Sequence, residues 1–238
     1  MLDTSFQQMQ SEIASPKSSV VAGSDCARRC RLIEPGLPDG LIAAAAALTA
    51  WLEDADAPGM IVGGVAASLL GRPRMTQDVD ALAALPEDRW PMLLAKATAH
   101  GLAARIEDPL AFAARTRVLL MRHEPSGIDI DLILGGLRFE LDAIAAATPH
   151  RFGHLTIRLP RVEDLMIMKA IARRPRDMLD LEALMDRHPQ ADLDHVRSFL
   201  QEFAHAASMS DLLTNWDRFV ARRDPGAQDS GHRPTRGP

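Results

Sequence analysis

Apolar and polar residues repeat along this chain with two periods, and the points where one gives way to the other mark its elements. The run "PDGLIAAAAALTAWLEDADAPG", residues 38–59, is built from strong helix formers and predicts a helix stopped by Pro58-Gly59. "MIV", residues 60–62, predicts a short apolar strand. Gly63-Gly64 follow it, and "VAASLLG" predicts a helix ending at Gly71. In "QDVDALAAL", residues 77–85, the alternation has period two, so a strand there places Asp78 and Asp80 on one face and Val79 on the other. "EDRWPMLLAKATAHG", residues 87–101, predicts a helix with Pro91 near its start, where proline is tolerated.

A short helix at "DPLAFAART" precedes the strand "RVLLMRHE", the turn "PSG" and the strand "IDIDLIL", an antiparallel hairpin closed by Gly135-Gly136. "FELDAIAAATPH" predicts a helix and "GHLTIRLP" a strand. From Arg161 the period is helical throughout, in "RVEDLMIMKAIARR", "RDMLDLEALMDRH", "LDHVRSFLQEFA" and "MSDLLTNWDRFVARR". The outline is α+β: a small mixed or antiparallel sheet with flanking helices, followed by a helical C-terminal part. Residues 37–160 form the expected α/β core and residues 161–222 the helical region. Residues 1–36, rich in Ser, Gln and Arg, and residues 223–238, mixing Pro, Gly and charge, read as poorly ordered tails.

Composition narrows the function classes. With 47% hydrophobic residues the chain can bury a sizeable core, and a net charge of −5 provides no global positive field for nucleic acid. Lysine occurs only at Lys17, Lys96 and Lys169; the arginine bias, abundant alanine and absence of tyrosine fit a GC-rich bacterial genome. Cys26 and Cys30, in "CARRC" without nearby histidines, make a poor zinc signature and read as inert thiols. The N-terminus shows no apolar signal region, and "LIAAAAALTAWL" is shorter than the roughly 20 residues of a membrane helix. A cytoplasmic location without membrane contact is the expectation. His100, His123, His150 and His154 lack ligand spacing and read as surface residues, while Trp51, Trp216 and the methionines of "LMIMK" read as packing.

The carboxylates carry the chemistry. Residues two apart on a strand stand about 6.5–7 Å apart on one face. From there their side chains can converge on two metal ions about 3.5–4 Å apart. Asp78 and Asp80 supply one such pair, and "GIDIDLIL" supplies Asp129 and Asp131, either of which can be the third carboxylate. A solvated face explains one pair alone; two Asp-x-Asp strands in one small sheet, both embedded in apolar residues, point to a metal site. Magnesium suits carboxylate and phosphate oxygens. At Gly63-Gly64, free N–H groups at a helix start and the helix dipole favour an anion, and glycine lets a phosphate approach.

These residues resemble a known family. "GGVAASLLGRPRMTQDVD" is similar to the signature of the DNA polymerase β nucleotidyltransferase superfamily: a glycine pair, a short helix and Asp-x-Asp, with a later strand aspartate. The closer resemblance is to AbiEii-like nucleotidyltransferases of bacterial abortive-infection and toxin–antitoxin systems, in which Gly-x-x-Arg-x-Thr-x-Asp precedes the site, as Gly71, Arg74, Thr76 and Asp78 do here. Lys169 followed by Arg176, Asp177 and Asp180 resembles that family's helical motif, and the likeness spans about half the chain, Met60 to Leu184.

The resemblance implies an NTP-dependent enzyme with two Mg2+ ions held by Asp78, Asp80 and Asp131, with Asp129 as the alternate. Lys169 would neutralise the triphosphate, and Asp177 would orient Lys169 or the acceptor. Asp180, one turn on, can pair with Arg176. Gly63-Gly64 replaces the Gly-Ser of many superfamily members, so Arg74 and Thr76 become the candidates for gripping the terminal phosphates, with Ser68 a weaker substitute. The implied acceptor is tRNA or a protein, and the implied partner an antitoxin. Three rival readings remain: an inactive nucleotide-binding regulatory or antitoxin module, an antibiotic-type small-molecule nucleotidyltransferase, and an arginine-rich nucleic-acid adaptor built on "RRPR" and "ARR".

Overall fold

The computed structural model describes residues 31–32, 37–152 and 155–223; Cys26, Cys30 and His154, with most of both expected tails, lie outside the described residues. In chain order the elements are β1 (Arg31–Leu32), α1 (Asp39–Asp54), β2 (Gly59–Ile61), α2 (Gly63–Leu70), β3 (Asp78–Ala84), α3 (Trp90–Lys96), β4 (Leu102–Ala104), α4 (Pro109–Thr116), β5 (Val118–His123) and β6 (Ile128–Gly135). Then come α5 (Arg138–Ala146), β7 (Thr148–Phe152), β8 (Leu155–Leu159), α6 (Val162–Ala172), α7 (Pro175–Arg187), α8 (Leu193–Ala206) and α9 (Asp211–Ala221).

The main sheet has five strands in the order β2-β3-β6-β5-β4. It is mixed: β3 and β6 run parallel, and the other neighbours are antiparallel, including the expected β5–β6 hairpin. Period two does the sorting. Val79, Ala81 and Ala83 of β3 and Ile130, Leu132 and Leu134 of β6 are fully buried on one face, beneath α1. Trp51 anchors that helix: its ring is buried and its indole N–H donates to the Leu93 carbonyl at 2.8 Å.

On the opposite face, α5 packs Ala143 and Ile144 against Leu82, with Ile133 alongside. The helices α6 to α9 complete the α+β architecture, and their buried residues belong to the same continuous core as the sheet. Helix α2 touches both β3 and the helical part, and His188 at the end of α7 meets the Leu70 carbonyl at 2.6 Å.

Three local expectations are corrected. The segment after Phe139 is not helical through His150: α5 stops at Ala146 and β7 begins at Thr148, because a residue before proline is driven out of the helical region. Pro149 is tolerated in β7 because β1 pairs only with His150 and Arg151. The helix expected over residues 87–101 is a 3-10 turn, α3 and a second 3-10 turn, ended by Gly101 at φ +68, after which β4 forms a strand with no apolar alternation to announce it. His123 and His150 are buried rather than on the surface, and His123 Nδ1 meets Ser126 Oγ at 2.7 Å within the β5–β6 turn.

Candidate active site

The carboxylates stand where α5 stops covering the sheet. Reading along that face, β3 shows Asp78, Asp80, Leu82 and β6 shows Asp129, Asp131, Ile133, so the change from carboxylate to aliphatic side chain coincides with the edge of the helix. The parallel register sets Asp78 opposite Asp129 and Asp80 opposite Asp131. Neighbouring strands lie about 4.8 Å apart, so four carboxylates share a two-by-two block.

Positive charge is unequally shared within the block. Arg105, just after β4, bridges Asp129 at 3.1 Å and Asp131, and Arg122 on β5 holds Asp129 at 2.8 Å. Asp78 and Asp80 form no ion pair among the described residues. Burial, then the neighbouring Asp78 charge, push the Asp80 carboxyl above its usual range. Burial also raises Asp131, against the opposing pull of Arg105. Asp78 and Asp80 are hard oxygen donors short of counter-charge, the kind of group that a divalent cation such as magnesium takes. In this conformation no three His, Cys, Asp or Glu side chains among the described residues converge to a metal site, and Arg105 is the group that claims Asp131.

The glycine pair is explained by the aspartates. Gly63 has φ +59, and a Cβ there would fall within the Asp80 carboxylate; Gly64 donates its N–H to Asp80 Oδ2 at 3.4 Å. A Cβ on Gly64 would come within 2.5 Å of Thr76 Oγ1. The helix start therefore receives the Asp80 carboxylate as its anion. Thr76 donates to Asp78 Oδ1 at 3.1 Å, fixing the first carboxylate, and Ser68 donates to the Arg74 carbonyl at 3.1 Å, holding the loop. Neither hydroxyl is free to grip phosphate in this arrangement.

Across from the aspartates lies a buried ionic network. Lys169 on α6 reaches Asp177 at 2.9 Å and Asp180 at 2.8 Å, both on α7. Asp180 also takes a bidentate contact from Arg74, at 2.8 and 3.0 Å. Asp180 thus pairs with Lys169 and Arg74, not with Arg176. Burial would raise the Asp180 carboxyl, but the hydrogen bonds from Arg74 and Lys169 outweigh it and hold it below the usual carboxylate range. Asp177 has two tasks: Oδ1 accepts from Lys169, and Oδ2 accepts the Arg174 N–H at 3.0 Å at the start of α7. Because Arg74, Thr76 and Asp78 share one short loop and strand start, the network ties the helical part to the carboxylate face.

A cleft of about 360 Å³ opens between these groups, lined by the charged Asp80, Glu140, Lys169, Arg174 and Asp177 together with Leu82, Ile133, Phe139 and Met168. Such a volume and mixed lining suit a small organic ligand that carries charge.

No protein-family model and no curated protein matches the sequence. Among solved structures, the chain is similar to an antigenic nucleotidyltransferase-like protein from Paracoccidioides brasiliensis, with TM-score 0.48 and 17% identity, over 75% of this chain and 94% of that one. It is also similar to the antibiotic-resistance factor ANT(2'')-Ia, with TM-score 0.45 and 13% identity, over 78% of this chain and 95% of that one. At that distance, the chemistry of the site has to come from its own residues.

The fold brings Asp78, Asp80, Asp129, Asp131, Gly63, Gly64 and Thr76 together, and sets Lys169 and Asp177 at the other side of the same cleft. Two partners had no signal in the sequence. Arg105 follows a three-residue strand, and the Arg74–Asp180 pair spans 106 positions.

Proposed function

We propose that this protein is a magnesium-dependent nucleotidyltransferase that moves a nucleoside monophosphate from an NTP to an acceptor hydroxyl. The observation that carries the reading is the pair Asp78 and Asp80, without ion pairs among the described residues and in register with Asp129 and Asp131, at a glycine turn beside the cleft. Asp78, Asp80 and Asp131 are the residues that would hold the metal, since Asp129 is bound by both Arg105 and Arg122. Divalent cations bound there supply charge neutralisation of the triphosphate and acidify the acceptor hydroxyl. The acceptor oxygen attacks the α-phosphorus, the bond to the bridging oxygen breaks, pyrophosphate leaves and the hydroxyl proton passes to solvent or a carboxylate. Thr76 and Gly64 keep Asp78 and Asp80 aimed throughout.

Lys169 and Asp177 act at one remove in this reading. Their charges are spent largely on each other and on Asp180, so they shape the cleft wall and its potential. The motifs shared with AbiEii-like enzymes support tRNA or a protein as acceptor, with an antitoxin as restraining partner.

The test is pyrophosphate release from each of the four NTPs with Mg2+ and, separately, total tRNA, cell protein and small hydroxylated compounds. Release that depends on both an acceptor and Mg2+, and disappears in Asp80→Ala while the melting temperature moves by only a few degrees, is the expected result. Undiminished release by Asp80→Ala would remove the metal assignment.

A further inference from the structure

A triphosphate drawn to Asp78 and Asp80 needs cationic partners, and the ones that the sequence offers are already committed. Arg74 is held bidentately by Asp180, and Lys169 is shared between Asp177 and Asp180. Arg105 lies on Asp129 and Asp131, and Arg117 on Glu140 at 2.9 Å. The charged residues that line the cleft are Asp80, Glu140, Lys169, Arg174 and Asp177. Of the two cations in that set, only Arg174 has a side chain without an ion pair or hydrogen bond among the described residues, and it is exposed.

Its backbone is nonetheless fixed. The Arg174 N–H is held by Asp177, Pro175 follows as the first residue of α7, and Arg173 before it adopts φ +53 and turns its own guanidinium to Asp211 at 2.6 Å. A rooted arginine with a free planar fork, in the lining of a cleft that also contains Asp80, suits a phosphate group.

We propose that Arg174 is the phosphate-binding residue of this site, its guanidinium contacting the terminal phosphates of the nucleoside triphosphate in the cleft beside Asp80. The proposal rests on the nucleotidyltransferase reading, and its test separates the two. Binding of ATP, GTP, CTP and UTP to the full chain is measured by calorimetry in Ca2+, together with the monophosphate of whichever nucleotide binds and with tRNA. Arg174→Ala should weaken triphosphate binding by about tenfold or more, as loss of a charge-assisted bidentate contact does, and leave the monophosphate within about twofold. Arg174→Lys should fall between. Arg176→Ala removes an exposed arginine of the same turn that does not line the cleft, and should leave triphosphate binding within about twofold.

Equal triphosphate affinity in wild type and Arg174→Ala overturns the proposal, as does an equal loss in Arg176→Ala, which would reflect general charge. Weakened tRNA binding with unchanged triphosphate binding also overturns it and moves Arg174 to the acceptor. A folded wild type that binds no triphosphate removes the nucleotidyltransferase reading itself, and this inference with it.

Discussion

At the scale of single residues, the site is arranged around the Asp80 carboxylate. It is half-buried, it lies against Asp78 and Asp131, and it accepts a hydrogen bond from the Gly64 N–H. Gly63 leaves the space for it: glycine accepts φ +59 without strain, and any side chain there would meet the carboxylate. Gly63→Ala should therefore cost about 1–3 kcal/mol through left-handed backbone strain. It should also lower transfer activity far more than that loss of stability explains, because the carboxylate is displaced. Urea denaturation alongside initial rates checks this; full activity in a stable Gly63→Ala protein would show that Asp80 does not need its present position. The aspartates themselves were legible in the sequence, since period-two alternation in an apolar strand puts both members of each pair on one face. Their partners were not: the register that sets Asp80 opposite Asp131 is a pairing across some 50 positions, and alternation within either strand says nothing about it.

At the scale of elements, α6 and α7 form a clamp on the loop that precedes β3. Lys169, Asp177, Asp180 and Arg74 are its contacts, and Asp180 is the centre because it serves both cations. Lys169 and Asp177 stood out in the sequence as part of one helical motif, with Asp177 expected to orient Lys169 or the acceptor; the central place of Asp180 did not. A lysine after four apolar residues gives no sign of its own that its ammonium reaches Asp180, and the Arg74–Asp180 pair spans 106 positions. Asp180→Asn should destabilise the protein by about 3 kcal/mol at neutral pH, the scale of removing one member of a buried ion pair. The pH dependence has a definite sign. The Asp180 pKa is depressed in the folded state, so its contribution is present above the unfolded value of about 4 and is lost as pH falls through the lower folded value. Denaturation curves should show a constant gap between wild type and Asp180→Asn at neutral pH that closes in strongly acidic solution. A gap that is unchanged at acid pH would mean that the carboxylate's charge is not what holds Arg74 and Lys169.

At the scale of the whole molecule, the mixed sheet, the helices that flank it and the helical C-terminal part meet at one cleft. The α+β outline was legible because each long element has a clear period. The second sheet of β1, β7 and β8 was not: β1 has two residues, and β7 is masked by the alanine-rich helix before it. Among the described residues no helix is long and apolar enough to cross a membrane. What the assembled molecule offers is a carboxylate face and a cleft lined by both charged and apolar side chains, Arg174 among them. These are the groups on which the proposed nucleotidyl transfer rests. The proposed reading is nucleotidyl transfer, in which the α-phosphate is delivered; in phosphoryl transfer the terminal phosphate would be the group delivered.

The measurement that separates these outcomes is paired labelling. The protein is incubated with Mg2+, an acceptor pool of tRNA and cell protein, and the same NTP labelled either at the α- or at the γ-phosphate. The account predicts that α-label becomes fixed to the acceptor while γ-label appears only in pyrophosphate, and that Asp80→Ala loses both. γ-Label on the acceptor, or no fixed label despite measurable nucleotide binding, would contradict it.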